Sequence, residues 1–218
     1  MKIIPNNSFF IFSSRCLKEL ILDKFPDVES IEIEKNIFGW LKIKIKGRQA
    51  NAIWCESKKN LIPSLAPSLN SSTSSFQEII ENKLPESEKC FFLDNEGMLF
   101  RESPEISGTL LPTFYNQTNQ EFNLKEQPVA SSTIVFASQI KKYLRQTGVD
   151  FQGFLIQLST GSEIAALTSE GWMIYFDANR LAQTQAKIVE TLLENEIKDK
   201  RAGLKYIDLR MANRVYYK

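Results

Sequence analysis

The 218-residue chain contains no histidine, and its three cysteines form no CxxC pair. Without an imidazole group, the chain cannot build a Ser-His-Asp triad, a Cys-His dyad or a histidine-ligated metal site. The spacing of Cys16, Cys55 and Cys90 also argues against a structural zinc site. We therefore expect no metal and no cofactor.

A large charge excess and long apolar runs are missing as well. The formal net charge is +1 without a clear basic stripe, which argues against a nucleic-acid groove. No run reaches the roughly 18 apolar residues of a membrane span, and the opening MKIIPNNSFFIF lacks the cleavage pattern of a signal peptide. Taken literally, these absences predict a soluble, unexported chain, and 43% hydrophobic residues suffice for a packed core.

Glycines and carboxylates occur where turns are expected, not in a pattern that indicates an active site. Gly153, Gly161 and Gly171 form no phosphate-binding loop. Asp94 is explained as a turn residue, and Asp177 as a helix cap. Asp208 is expected to accept hydrogen bonds from nearby amides or from the arginines that follow it, Arg210 and Arg214. We predict no catalytic residue and no enzyme activity.

The first part of the chain is predicted to be one helix and a hairpin. Ser13 or Ser14 can cap the helix, and Pro26 ends it. Residues 28–35 and 41–46 alternate apolar and charged side chains, so glutamates of one strand can face lysines of the other. In the second strand, Leu41, Ile43 and Ile45 are predicted to point inward. A further strand at 49–55 completes a first domain at 1–56.

A Ser/Pro-rich linker is predicted at 57–88, followed by a β-rich domain at 89–218. This domain begins with a hairpin in which Gly97 takes a positive φ. We then expect an edge or bridging strand at 110–114, a helix at 131–147 that ends before Gly148, and a three-strand meander. A second helix, capped by Asp177 or Asn179, precedes a terminal strand pair. The predicted fold class is α+β: a partial helix-plus-sheet domain, then a larger mixed sheet with two helices and a C-terminal edge strand.

The last fifteen residues, LKYIDLRMANRVYYK, predict two short strands around a tight turn. A chain that ends in a strand places it at a sheet edge, and such an edge is either guarded or used to bind another strand. One of Tyr216 and Tyr217 must point away from the core, which makes it a contact candidate. An ordinary exposed tyrosine is the alternative.

Several strings resemble, in order, the FtsQ/DivIB family of bacterial cell-division proteins. FPDVESIEIEKN with LKIKIKGRQANAIW is similar to the second half of the family's POTRA domain. CFFLDNEGMLF, LLPTF, GWMIYFD and YIDLR follow as in its β domain. The chain departs from the pattern at Phe38, where the family usually has proline, and at Gly47, where it often has glutamate. It also departs at Met211 and Ala212, where an aromatic residue followed by a small one is commoner.

The resemblance implies a non-catalytic scaffold of the division machinery. Its partners would be the bitopic coiled-coil proteins of the FtsB (DivIC) and FtsL type, with no nucleic acid and no small-molecule substrate. Strand addition at the C-terminal edge is the implied mode of binding, with specificity from Arg210, Met211, Asn213, Arg214 and Tyr216. Two alternatives stay open: a POTRA-type chaperone for polypeptides, and a cell-wall-binding or hydrolase domain.

The resemblance also implies a single-pass membrane protein with this part outside the cytoplasm at the septum. The family's cytoplasmic tail, its span and the first strand and helix of its POTRA domain have no counterpart here. We therefore expect Met1 to be an internal start or a truncation point; a naturally short protein is the alternative. Outside the cytoplasm, Cys55 and Cys90 could form a disulfide that ties the two parts together. Two buried reduced thiols are the alternative.

Overall fold

A computed structural model describes residues 13–35, 41–57, 84, 87–104, 110–118, 120–156 and 162–218. Most of the linker predicted at 57–88, together with Phe38 and Gly161, lies outside these residues. The described part is α+β and contains three α-helices, a two-stranded sheet and a nine-stranded mixed sheet. Its elements are α1 (Ser14–Lys24), β1 (Val28–Lys35), β2 (Leu41–Gly47), β3 (Ala52–Ser57), β4 (Ser87–Leu93), β5 (Leu99–Ser103), β6 (Thr113–Asn116), α2 (Ser131–Arg145), β7 (Phe151–Ile156), β8 (Glu163–Thr168), β9 (Met173–Asp177), α3 (Ala182–Leu192), β10 (Tyr206–Asp208) and β11 (Tyr216–Tyr217).

The helix α1, the antiparallel pair β1–β2 and Arg48, which follows β2, form a small unit that we call the hairpin module (residues 13–35 and 41–48). Ser13 caps α1 as predicted, because its hydroxyl accepts a hydrogen bond from the Cys16 amide at 3.4 Å. The predicted cross-strand pairing is also confirmed. Glu32 lies opposite Lys44, and the Lys44 ammonium donates to its carboxylate at 3.2 Å.

The prediction that Ile43 and Ile45 of β2 point inward is wrong. These side chains are 41% and 59% exposed, whereas Ile31 on β1 is 2% exposed. The reason is that α1 packs along β1, so the apolar face of β2 has little cover among the described residues. Alternation along a strand predicts which side chains share a face, but not whether that face is covered.

The nine strands of the large sheet follow the order β11-β10-β9-β8-β7-β6-β3-β4-β5. The meander β7–β8–β9 and the hairpin β4–β5 are antiparallel, as predicted. Parallel pairs join β3 to β6, β6 to β7 and β9 to β10. The sheet is therefore mixed, with β5 at one end and β11 at the other.

Strand β3 lies in a different part of the fold from that predicted. It was expected in the first domain, at 1–56, but it pairs with β4 and β6 inside the nine-stranded sheet. Strand β6 was expected at an edge or as a bridge, and it takes the second place, since it joins β3 to β7. Its Phe114 is fully buried. These positions depend on pairings between distant segments, which local patterns do not encode.

The main apolar core lies between this sheet and the helices α2 and α3. Ile140 and Leu144 of α2 and Val189 of α3 are fully buried there, with Trp54, Phe154 and Ile174 from the sheet. Gly148 ends α2 with φ 73°, as predicted for a C′ residue. No helix in the described ranges is long and apolar enough to cross a membrane.

The predicted cap of α3 by Asp177 or Asn179 is wrong. Leu181 occupies the N-cap position without a side-chain cap bond. The Asp177 carboxylate instead accepts from the Asn179 amide at 2.9 Å. The fully buried Gln185 connects the helix to β9, since its side chain accepts from the Asp177 amide and donates to the Asp177 carbonyl.

Candidate partner-binding edge

Strand β11 is held at the end of the sheet by the last residue of the chain. The Lys218 amide donates to the Tyr206 carbonyl at 3.2 Å, and the Lys218 carbonyl accepts from the Lys205 amide at 2.5 Å. Strand β10 is itself anchored to β9, because the Leu209 amide donates to the Tyr175 carbonyl at 2.9 Å. Fully buried Ile207 ties β10 to the core.

The backbone of β11 presents hydrogen-bonding groups to its outer side, on which the described residues form no further strand. Backbone groups alternate in direction along an antiparallel pair. Since those of Lys218 face β10, those of Tyr217 and Val215 face away from it. The Tyr216 and Tyr217 side chains are 48% and 45% exposed, so both, not one, are accessible. An extended segment could pair with this edge.

Arg210, one of the predicted contact residues, is already engaged within the chain. Its guanidinium donates to both Asp208 carboxylate oxygens and, at 3.2 Å, to Glu163. It also stacks 5.0 Å from the centre of the Tyr175 ring. The hydrogen bond to Asp208 raises the pKa of Arg210, although burial opposes the shift. The expected role of Asp208 as an acceptor is confirmed.

The other predicted residues lie on the exposed turn between β10 and β11 and at the first position of β11. Met211 is 63% exposed, and Asn213, Arg214 and Tyr216 are exposed as well. A side-chain hydrogen bond with Tyr216 raises the pKa of Arg214. Four of the five predicted residues are therefore exposed at this turn and strand, whereas Arg210 is partly buried.

Sequence reasoning missed Arg180, which holds this turn in place. Its guanidinium donates to the Leu209 carbonyl at 2.7 Å and to the Met211 carbonyl at 3.4 Å. Arg180 lies just before α3, about thirty residues away in sequence, and no local pattern links it to the turn. Its neighbour Leu181 is 76% exposed, so Leu181 adds an accessible apolar side chain beside this turn.

The C-terminal segment is basic although the whole chain is nearly neutral. Residues 198–218 contain seven lysines or arginines and two aspartates, against a net charge of +1 for the chain. Asp208 and Glu163 neutralise Arg210, and Glu170 neutralises Arg201. Arg214 and Lys218 flank β11 and are exposed, and positive charge at an exposed edge favours an acidic partner segment.

Cys55 and Cys90 lie directly opposite each other on β3 and β4, and a disulfide joins them. Both are buried, beside Ile53 and the partly buried Phe92. The bridge was expected to tie two domains together. Because β3 and β4 are neighbours in one sheet, it instead links two strands whose connecting segment spans the predicted linker.

Glu56, which no sequence pattern indicated, accepts hydrogen bonds from three other residues. Its carboxylate accepts from the Trp54 indole at 2.8 Å, the Phe122 amide at 3.1 Å and the Asn116 amide group at 2.5 Å. These hydrogen bonds attach the loop after β6 to β3.

Among the residues that the structure describes, no group of three or more Cys, Asp or Glu side chains could hold a metal ion. No protein-family model matches the chain, and no curated protein matches it.

Proposed function

We propose that this chain is a non-catalytic scaffold of the bacterial division machinery, related to the FtsQ/DivIB proteins. In this proposal it lies on the outer side of the cell membrane at the septum, in a protein anchored by a single span. The ordered resemblance of its strings to that family supports the proposal. The single observation that carries it is the terminal strand β11, whose outer backbone groups are directed away from the sheet.

The proposed partner is a bitopic coiled-coil division protein of the FtsB (DivIC) or FtsL type. An extended segment of that partner adds to β11, and the backbone of Val215 and Tyr217 provides the hydrogen bonds. Met211, Asn213, Arg214 and Tyr216 give specificity through their exposed side chains. Arg210 contributes by fixing the start of the turn, and the basic surroundings select an acidic segment.

Tyr217→Pro tests the backbone pairing, with Tyr217→Ala as the matched control. Both changes remove the same exposed side chain, but only proline removes the outward amide donor. Val215→Pro is less suitable because Val215 also packs against the core. The probe is a peptide covering an acidic extracytoplasmic segment of the FtsB-type protein from the same organism, titrated calorimetrically.

We expect Tyr217→Pro to weaken binding by about tenfold relative to Tyr217→Ala, the effect of about one lost hydrogen bond. Circular dichroism confirms that both variants are folded. Equal affinities of two folded variants would exclude strand addition at β11. Absence of binding by the unaltered chain would count against the choice of partner.

A further inference from the structure

The hairpin module is attached to the nine-stranded sheet by polar contacts. None of its residues belongs to, or packs against, the three apolar clusters that the described residues form. Among the described residues, three acid–base pairs connect the two parts instead: Arg48–Asp94, Arg101–Asp27 and Lys125–Asp23. Within this described part, the orientation of the module therefore depends on electrostatics more than on apolar burial.

The first of these pairs is shielded and rigidly held. The side chains of Arg48 and Asp94 are 14% and 3% exposed. Arg48 follows β2 and binds the turn between α1 and β1, donating from its side chain to the Pro26 carbonyl at 3.1 Å and from its backbone to Asp27. We call Arg48–Asp94 the central pair.

On the side of the sheet, the Asp94 carboxylate is fixed by its own turn. It accepts from the amides of Glu96 and Met98, each at 2.9 Å. A shielded pair with fixed geometry is little affected by dissolved salt. The central pair can therefore persist when exposed contacts weaken.

The other two pairs, which we call the outer pairs, are open to solvent. Asp27 and Arg101 are 46% and 61% exposed, and Asp23 is 84% exposed beside Lys125 at 38%. Each has one ammonium or guanidinium contact to the carboxylate at 2.8 Å, and the Lys125 ammonium also donates to the Asp23 backbone carbonyl. Exposed pairs of this kind are individually weak and are screened by salt.

Lys125 lies in a loop that is hydrogen-bonded to the edge of the large sheet. Its backbone adopts a left-handed conformation with φ 74°, and its amide donates to the Leu99 carbonyl of β5 at 2.7 Å. The neighbouring Glu126 carbonyl accepts from the Leu99 amide at 2.9 Å. This loop therefore adds to the edge of β5 and directs one ammonium group at the end of α1.

The covalent connection between the two parts is short and exposed. Gln49 and Ala50 lie between Arg48 and Asn51 and are both exposed. Pairing with the large sheet begins at Asn51, whose amide donates to the Leu93 carbonyl at 2.8 Å. Rotation about this two-residue connection would leave both sheets intact.

We propose that the hairpin module turns relative to the nine-stranded sheet about the central pair, and that the outer pairs are a salt-sensitive latch that holds one orientation. The two outer aspartates lie on the module, and their cations lie on the sheet. Removing the two carboxylate charges therefore removes both outer ion pairs and leaves the hydrogen bond from Lys125 to the Asp23 carbonyl, while both units stay intact. This inference does not rest on the proposed function.

The distance between two spin labels tests the proposal. Cys16 on α1 is a free, exposed thiol, so it takes one label without substitution. Ser138→Cys provides the second at an exposed position on α2. The distance distribution is measured by pulsed electron paramagnetic resonance in the oxidised protein, at low salt and at about 0.5 M salt.

The latch variant is Asp23→Asn with Asp27→Asn. The matched control is Glu32→Gln with Glu34→Gln, which removes two carboxylate charges that pair with Lys44 inside the module. At low salt, we expect a narrow distribution of label-to-label distances for the chain with unaltered outer pairs and for the control. At high salt, we expect the width of this distribution to at least double. The latch variant is expected to be broad at both salt concentrations.

Two results would overturn the latch: a distribution that salt does not change, or a latch variant as narrow as the control at low salt. The mobility of the spin label at Cys16 distinguishes rotation of the intact hairpin module from unfolding of the module. A label as mobile as in denatured protein would show that the module unfolds, and would reject rotation of an intact unit.

Discussion

At the scale of single residues, Gly97 is required both by the conformation of its own turn and by the close approach of a distant segment. Its φ of 90° lies in the region that favours glycine, as the turn sequence predicted. The structure adds a second constraint, since a Cβ atom at this position would lie 1.9 Å from the Val129 carbonyl oxygen. The turn between β4 and β5 is thus packed against the segment that leads into α2.

We expect Gly97→Ala to lower the free energy of unfolding by about 2–4 kcal/mol, because backbone strain and a steric clash add together. Gly171→Ala is the matched control: it has the same φ of 90°, but no atom lies within 4 Å of the added Cβ. There we expect a loss of about 1 kcal/mol from backbone strain alone. Urea titration measures both, and equal losses would show that Val129 moves away without cost.

Asp208 and Asp177 show that a sequence pattern does not decide which donors a carboxylate accepts hydrogen bonds from. Both were expected to bind groups within a few residues. Asp208 does so through the Arg210 amide and side chain, but Asp177 does not cap α3. A carboxylate next to a turn has several possible donors nearby, and the fold decides which of them comes within reach.

At the scale of elements, the disulfide between β3 and β4 makes the clearest stability prediction. It closes a chain separation of 35 residues, for which the loss of disorder in the unfolded chain corresponds to about 3–4 kcal/mol. We expect Cys55→Ser with Cys90→Ser to lower the free energy of unfolding by roughly this amount. Cys16→Ser, at an exposed position, is expected to have little effect.

Thiol titration of denatured protein without reductant provides the independent check. One reactive thiol is expected from the oxidised chain, namely Cys16, and three after reduction. Three thiols without reductant would show that β3 and β4 hold two free cysteines. In that case the double serine variant would lose only the packing of two small buried side chains.

In the whole molecule, the buried apolar residues are unevenly distributed between its parts. This predicts that some parts open at a lower free energy than others. The strands β7, β8 and β9 contribute fully or nearly fully buried residues to the main cluster, such as Phe154, Ala166 and Ile174. The hairpin module contributes none. Regions with few buried apolar contacts open at a lower free energy than the global transition.

We expect amides of β1 and β2 to exchange with deuterium at least about tenfold faster than those of β7 to β9, at equal intrinsic rates. Exchange followed by mass spectrometry measures this, and the hydrogen-bonded strands of the meander are the internal reference. Similar protection in both regions would mean that the module unfolds only with the whole protein. Such a result would conflict with its separate polar attachment.

The sequence by itself determined the local elements of this protein. Alternating charges predicted the hairpin β1–β2, the serine cap predicted the start of α1, and the turn glycines Gly97 and Gly148 were placed correctly. It also predicted that the chain ends in an edge strand. These features depend on residues that are close in the chain, so their pattern can be recognised directly.

Only the tertiary structure decided how these elements combine. It placed β3 in the large sheet and β6 in its interior, left the isoleucines of β2 exposed, and brought Lys125 to Asp23. At the C-terminal edge it paired Arg210 with Glu163 and bound the Arg180 guanidinium to the Leu209 carbonyl. Each of these contacts joins segments that are far apart in sequence, and their formation depends on the packing of the whole chain.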